Sequence, residues 1–251
     1  MRYVVPEQYC RKRLGIERFP EWKTAVICFR GIGGSTGLVN LLEGKPISAK
    51  AFWGMGEAYG VAQPYEAMVN GQPVVILPQC IWGGVQAAIL TEELACYGCK
   101  TVIGYGCAGS IVPSVELLQQ VVVKDAIPTD GTSRAYGESE SAADPRLIRL
   151  AQDAANQLGI DLVQVRAATV DAVYRETPEL VEAWRSMGAE AINMESSALY
   201  ASARACDVKS VWIGFVSDRL GATREHPAGG RTGASSVSAH LCRKLLELVV
   251  G

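Results

Sequence analysis

Histidine is scarce: His226 and His240 are the two in a chain of 251 residues. Cysteine is more plentiful, at eight residues, yet it forms a single CxxC, Cys96-Tyr97-Gly98-Cys99. With no second pair and no histidine nearby, that spacing argues against zinc, and no metal site is expected. It fits a helix end followed by a glycine turn, with a redox pair as the alternative. Net charge is nearly absent too, with 24 Lys and Arg against 26 Asp and Glu. No global field therefore draws the chain to nucleic acid or to an anionic membrane. No apolar run approaches the roughly 18 residues that a membrane-spanning helix needs. The opening MRYVVPEQYCRKRLG lacks the apolar stretch of a secretory signal. A cytoplasmic protein is expected.

What is present is core. Apolar residues make up 49% of the chain and charged residues 20%, enough for a buried interior and too apolar for disorder. Residues 1–22 read as a polar arm. TAVICFR (24–30) is a β-branched run and predicts a buried strand. It leads into Gly31-Ile32-Gly33-Gly34-Ser35-Thr36-Gly37, read as a glycine turn before a helix at Leu38. Such a turn either cradles an anion on backbone N–H groups or is a plain tight turn. No Lys-Ser/Thr closes it as a Walker loop, and no acidic residue follows at the spacing of a dinucleotide fold.

YEAMV and PVVIL, joined through Asn70-Gly71, predict a hairpin. VQAAILTEELACYG predicts a helix capped by Gly98. TVIGY predicts a strand that ends in the small residues Gly106-Cys107-Ala108-Gly109. Residues 117–127 read as a strand and Thr129–Ser133 as a loop. Asp144-Pro145 opens a helix that runs to Gly159. A strand follows at 162–170, a loop at 171–178, a helix at 179–187 and a short strand at 191–194. SSALYASARAC predicts a helix, VWIGFVSD a strand, 219–233 a mobile loop, and SSVSAHLCRKLLELVV a closing amphipathic helix. Strands and helices alternate with no low-complexity linker and no repeat, which gives one α/β domain around a buried sheet.

Two carboxylates stand out. Glu195 follows Met194 at a helix start, and Asp218 follows Ser217 at a strand end. Both lie at element edges, where side chains converge on pockets, and each also has an ordinary reading as a helix-terminal or turn-capping acid.

Several segments, in order, resemble the nucleoside phosphorylase superfamily, the group that holds uridine phosphorylase, hexameric purine nucleoside phosphorylase and the methylthioadenosine nucleosidases. QCIWGGVQAAILTEELA resembles its Gly-Gly helix segment, GYGCAGSI its strand end, INMESSALYASA its Met-Glu helix start and FVSD its Ser-Asp strand end. DGTSRAY and TVDAVYRET resemble the phosphorylase branch. The resemblance covers roughly residues 24–250. It implies a single-domain three-layer α/β/α fold over residues 1–251 with a central mixed, partly barrel-like sheet. It also implies a homodimer or a homohexamer built as a trimer of dimers, and the aromatics Trp53, Tyr59 and Tyr65 hint at such an interface.

The implied activity is cleavage of the N-glycosidic bond of a small-molecule nucleoside, with no cofactor beyond inorganic phosphate as co-substrate. Glu195 would hold the ribose hydroxyls, with Met194 packed on the sugar. Asp218 would protonate the departing base, which favours purines. Cys107, Ala108 and Gly109 would floor the pocket, and Val173 and Tyr174 would pack the base. Gly31 and Arg30 are the candidate phosphate contacts, with a solvent-facing strand-end arginine as the alternative for Arg30. The sequence departs from the family at the phosphate. The first glycine loop lacks its arginine, Gly104 stands where another arginine is usual, and the arginine lent by a neighbouring subunit has no counterpart. Arg134 or Arg175 are further possible replacements. Phosphorolysis is the first expectation. Hydrolysis of a nucleoside or nucleotide is the second, with Arg175, Arg224 or Arg231 on a 5′ substituent. The nucleosidases place a water-positioning glutamate in the first glycine loop, where this chain has Ser35 or its neighbours. A silent nucleoside-binding protein is the third.

Overall fold

The computed structural model describes residues 4–8, 22–47, 52–55, 63–137 and 141–251. Most of the expected N-terminal arm, Tyr59 and the Trp53 side chain lie outside the described residues. In chain order the elements are β1 (Thr24–Cys28), α1 (Ile32–Leu41), β2 (Lys45–Pro46), β3 (Tyr65–Val69), β4 (Gln72–Leu77), α2 (Gly84–Cys96), β5 (Thr101–Ser110) and β6 (Gln120–Pro128). There follow α3 (Gly131–Ala135), β7 (Ser141–Ala142), α4 (Pro145–Leu158), β8 (Leu162–Thr169), α5 (Pro178–Ser186), β9 (Ala191–Asn193), α6 (Ser196–Ala205), β10 (Lys209–Leu220), β11 (Arg224–Glu225) and α7 (Arg231–Val250).

The strands form one mixed sheet in the order β11-β10-β6-β8-β9-β5-β1-β4-β3-β2, with β7 beside β6. Because β10 also pairs with β5, the run β5-β9-β8-β6-β10 closes on itself as a small barrel. β1, β5 and β10 are parallel neighbours, so their carboxyl ends open on the same side, where sheets of this kind bind ligands. Helices α1, α4 and α7 pack together, as do α2, α3 and α6. The expected fold, a mixed and partly barrel-like sheet flanked by helices, is the one observed. Among the described residues, no helix is long and apolar enough to cross a membrane.

Local signals place many boundaries. Asn70 and Gly71 both adopt positive φ, 48° and 76°, as a two-residue hairpin turn between right-twisted strands requires. Asp144 caps α4 by accepting from the Arg146 and Leu147 N–H groups, and Gly159 ends that helix in the left-handed region. Gly98, at φ 89°, turns the chain after α2, and Cys99 beyond it is a buried free thiol.

Four expectations are corrected. The glycines after Gly31 are not a turn before the helix: α1 starts at Ile32 and takes Gly33, Gly34 and Gly37 into its body. The Arg30 side chain lies across Gly34, where an added Cβ would come within 2.9 Å of the guanidinium, so packing overrides propensity here. Thr129–Ser133 is not all loop. Asp130, fully buried, caps the short α3 by accepting from the Ser133 N–H at 2.7 Å. Residues 219–233 are not one mobile loop either. β10 runs on to Leu220, turns, and returns as β11. Tyr65 is half-buried against the core and is no exposed interface aromatic.

Candidate functional site

A cavity of about 420 Å³ opens at the carboxyl ends of β1, β5, β9 and β10. That volume lies within the range of small-ligand sites, about 300–1,000 Å³. Glu195 and Asp218 both line it. Met194, Cys107, Ala108, Gly109, Val173, Gly31 and Arg30 line it as well. Tyr174 does not: its side chain is 97% exposed. Arg134 and Arg175 are also absent from the wall, whereas Arg224 and Arg231 are part of it.

Glu195 stands at the N-cap position of α6, yet its side chain makes no cap hydrogen bond. Asn193 does that work, with Oδ1 accepting from the Ser196 N–H at 3.2 Å and the Ser196 hydroxyl at 2.9 Å. Glu195 is thereby released to face the cavity while remaining 3% exposed. Burial pushes its carboxyl up to about 8, against the pull of the Met194 and Gly83 backbone N–H groups and the Trp212 indole. Gly83 supplies its N–H from φ 136°, a conformation that only glycine adopts without strain. The neighbouring Gly84 lets α2 start against α6, since a Cβ there would lie 2.8 Å from that of Ala198. The Gly-Gly pair thus has two separate duties, a donor for Glu195 and a close helix contact.

Asp218 owes its direction to a β-bulge. The β10–β5 register shifts between Val216 and Asp218, which leaves Ser217 as the extra residue. The bulge breaks the alternation that would put Val216 and Asp218 on one face. Asp218 Oδ1 accepts from the Ser217 hydroxyl at 2.6 Å, and Oδ2 from Arg224 Nε at 2.8 Å. Arg224 reaches it because Leu220 pairs with Arg224 across the β10–β11 hairpin. Glu176, half-buried on the same wall, is raised by desolvation and by Asp218, with Arg224 opposing.

Arg30 turns inward. Its guanidinium carbon sits 4.7 Å from the Phe215 ring centroid and 5.6 Å from that of Tyr105, within cation–π range of both. Nη2 donates to the Ser235 hydroxyl at 3.1 Å. Nη1 is buried and has no hydrogen-bond partner among the described residues, and neither has Asn193 Nδ2 on the same cavity wall. Both residues border the cavity, and unpaired buried donors of this kind are uncommon in folded proteins. Cys107 lies between the charges. Burial raises its thiol, Arg30 and Arg231 pull it down, and Glu195 and Asp218 add to the rise. The wall thus carries the Arg30 and Arg231 guanidinium groups together with the two carboxyls.

Gly104 has its own explanation. A Cβ there would stand 2.7 Å from Trp212 Cδ1 and 2.8 Å from Leu199 Cδ2, so the indole fills the space an arginine would need. Ser35 is spent structurally. It donates to the Arg30 carbonyl at 2.7 Å and accepts from the Gln79 N–H at 3.0 Å, which pins the start of α1.

Sequence reasoning singled out neither Glu176 nor Asn193, and it placed Arg224 and Arg231 only as contacts for a 5′ group. The available signal for Arg224 was Arg219-Leu220 and Arg224-Glu225 on either side of Gly221-Ala222-Thr223, a short hairpin pattern starting one residue after the strand-end acid.

Comparison with known proteins agrees with this geometry. A guanosine phosphorylase of Halorubrum lacusprofundi is 29% identical over 160 residues, 61% of this chain. This chain spans 62% of that relative's length. A DeoD-type purine nucleoside phosphorylase of Streptococcus uberis is 27% identical over 223 residues, 87% of this chain and 81% of the relative. The crystal structure of the Campylobacter jejuni 5′-methylthioadenosine/S-adenosyl homocysteine nucleosidase superposes with a TM-score of 0.74 at 20% identity, over 90% of this chain and 99% of that one. Residues 56–248 match the model of the phosphorylase superfamily, and with the cavity at the strand ends and the two carboxyls on its wall, the chain belongs to that superfamily.

Proposed function

We propose that this chain cleaves the N-glycosidic bond between a purine and its sugar. One observation carries the reading: two buried carboxyls, Glu195 and Asp218, line a single cavity of nucleoside scale. As the bond breaks, positive charge grows on the sugar and negative charge on the base. Glu195 grips the ribose hydroxyls and faces the growing positive charge. Met194 packs on the sugar. Asp218 hands a proton to a ring nitrogen of the leaving purine. Asp218 takes that proton from water before the base departs, and Ser217 and Arg224, which donate to its two oxygens, stabilise the carboxylate left after the transfer. Val173 packs the base, while Cys107, Ala108 and Gly109 form the floor.

Two acceptors for the sugar have separate support. Water is favoured because the space beside Gly104, where phosphorylases of the family carry an arginine, is filled by Trp212. The nucleosidase named above, which has this fold, adds weight. Phosphate is favoured by the unpartnered Nη1 of Arg30 beside Gly31, with Arg231 on the same wall. A guanidinium fork is a strong partner for a dianion.

The test is purified protein with a panel of nucleosides, with and without phosphate, with base release followed by absorbance and the sugar product identified by mass. Base release from a purine nucleoside is expected. Release that requires phosphate and yields sugar 1-phosphate assigns the phosphate acceptor, and an Arg30→Met variant then needs a higher phosphate concentration for the same rate. Release indifferent to phosphate, yielding free sugar, assigns water. No base release from any nucleoside in either condition overturns the reading.

A further inference from the structure

Arg185 stands outside the cavity, in the last turn of α5. Its guanidinium makes three contacts. Nε donates to the Ile111 carbonyl, Nη2 donates to the Leu220 carbonyl at 3.1 Å, and Nη1 lies 3.3 Å from Glu182 Oε2. The two carbonyls are not arbitrary. The last β5–β10 register pairs are Asp218 with Gly109 and Arg219 with Ser110. Ile111 and Leu220 are the next residue on each strand. Arg185 therefore bridges the two strand ends at the first position past their pairing, two residues beyond the acid's own pair.

The same carbonyl-bearing residue, Leu220, is the hairpin partner of Arg224. Arg224 in turn holds Asp218 Oδ2 at 2.8 Å. On its upstream side Asp218 has a bulge, which loosens regular pairing. On its downstream side the β10–β11 ribbon is two residue pairs long, and a two-stranded ribbon is marginal by itself. The apolar side chains of Ile111, Trp184, Ile192 and Leu220 belong to one buried cluster beneath the fork. α5 thus meets both strand ends with packing and with directed hydrogen bonds. A planar fork with several fixed donors can bridge two carbonyls at once, whereas an ammonium offers a point charge.

We propose that Arg185 is a positioning residue for proton delivery by Asp218, acting through the Leu220–Arg224 hairpin. This rests on the assignment of Asp218 as the proton donor to the leaving purine. The consequence is chemical. An ordinary purine nucleoside needs a proton on its base as the bond breaks. A nucleoside already methylated at purine N7 carries the positive charge beforehand, and its base departs neutral without a proton. Loss of Arg185 should slow the first substrate and spare the second.

The experiment compares wild type, Arg185→Ala and Arg185→Lys on a purine nucleoside and on its N7-methylated counterpart, with Asp218→Asn as the benchmark. For Arg185→Ala, kcat on the unmodified nucleoside should fall by about 10- to 100-fold, the scale of a misplaced catalytic group, with KM little changed. On the N7-methylated nucleoside, kcat should stay close to wild type. Arg185→Lys keeps the charge and the stem, so it holds the fold, and it should show the same selective loss to a smaller degree. An equal fall on both substrates would assign Arg185 a purely structural role and overturn the proposal, as would unchanged turnover of the unmodified nucleoside. If wild type releases base from neither, the underlying enzyme assignment is the one that fails. If Asp218→Asn does not distinguish the two substrates while wild type cleaves both, Asp218 is not the proton donor, and the role given to Arg185 falls with it.

Discussion

The two acids of the cavity are buried to nearly the same degree, with 3% of Glu195 and 4% of Asp218 exposed, yet they are provided for differently. Glu195 has backbone N–H groups and an indole around it and, among the described residues, no ion-pair partner, and burial drives its carboxyl up to about 8. Asp218 has a guanidinium on one oxygen and a hydroxyl on the other. Depth alone therefore does not set what a carboxyl does. The partners delivered by neighbouring elements decide, and here they come from opposite sources: a glycine turn before α2 for Glu195, and a hairpin after β10 for Asp218. One end of the cavity is poised by desolvation, the other by directed contacts.

The sharpest break of this comparison is Asp218→Asn. If the acid serves the leaving base, kcat on an unmodified purine nucleoside should drop by about 100-fold or more, measured by base release under saturating substrate. An equal effect from Glu195→Gln and Asp218→Asn on every substrate would erase the functional difference between the two ends.

The next test uses pH. Glu195 has a folded-state value raised to about 8, above the ordinary carboxylate value of about 4.3. A raised value means that the stabilising contribution of the protonated form is fully present below about 4.3 and is lost as pH rises through about 8. Glu195→Gln mimics the protonated carboxyl at all pH. Its thermal midpoint should match wild type near pH 4 and exceed it increasingly toward pH 9, followed by thermal melts across the range. Activity should run the other way. The wild-type kcat/KM should climb with an apparent pKa near about 8 as the carboxylate forms, and that limb should be missing from the Gln variant.

Smaller effects probe the scaffold between the ends. Gly104→Ala pushes a methyl into Trp212 and Leu199, and overpacking of this kind costs about 1–3 kcal/mol. Chemical denaturation should register it, together with a shift at Glu195, whose surroundings include the same indole. Tyr174→Ala, at a side chain 97% exposed, should change stability by less than about 0.5 kcal/mol. In the isolated chain it should also leave KM unchanged, since the ring does not reach the cavity.

Much of this was legible in residue order. Asp144-Pro145 and Asn70-Gly71 announce their turns because cap and turn chemistry acts within a few residues. Cys107, Ala108 and Gly109 could be placed on the floor because small residues at a strand's end leave room for a ligand. The first helix was misread for a reason equally local: glycines are poor helix formers, and only the Arg30 side chain lying across Gly34 explains why they are helical. Tyr174 does not follow Val173 to the cavity wall, because adjacency in sequence says nothing of which way each side chain points. Arg224 was hidden in a stretch that reads as loop, because two short pairs carry almost no periodicity.

By itself, the order of residues determined the alternation of strands and helices, the turns that join them, and the two acids at element edges, since each depends on contacts within a few residues. Tertiary structure alone decided what surrounds those acids. Arg30 meets Ser235 across 205 positions of chain, Trp212 fills the place beside Gly104, and Arg185 ties Ile111 to Leu220. Such partners are fixed by which strands lie side by side. That ordering is set by the whole sheet closing on itself, and no local pattern of side chains encodes it.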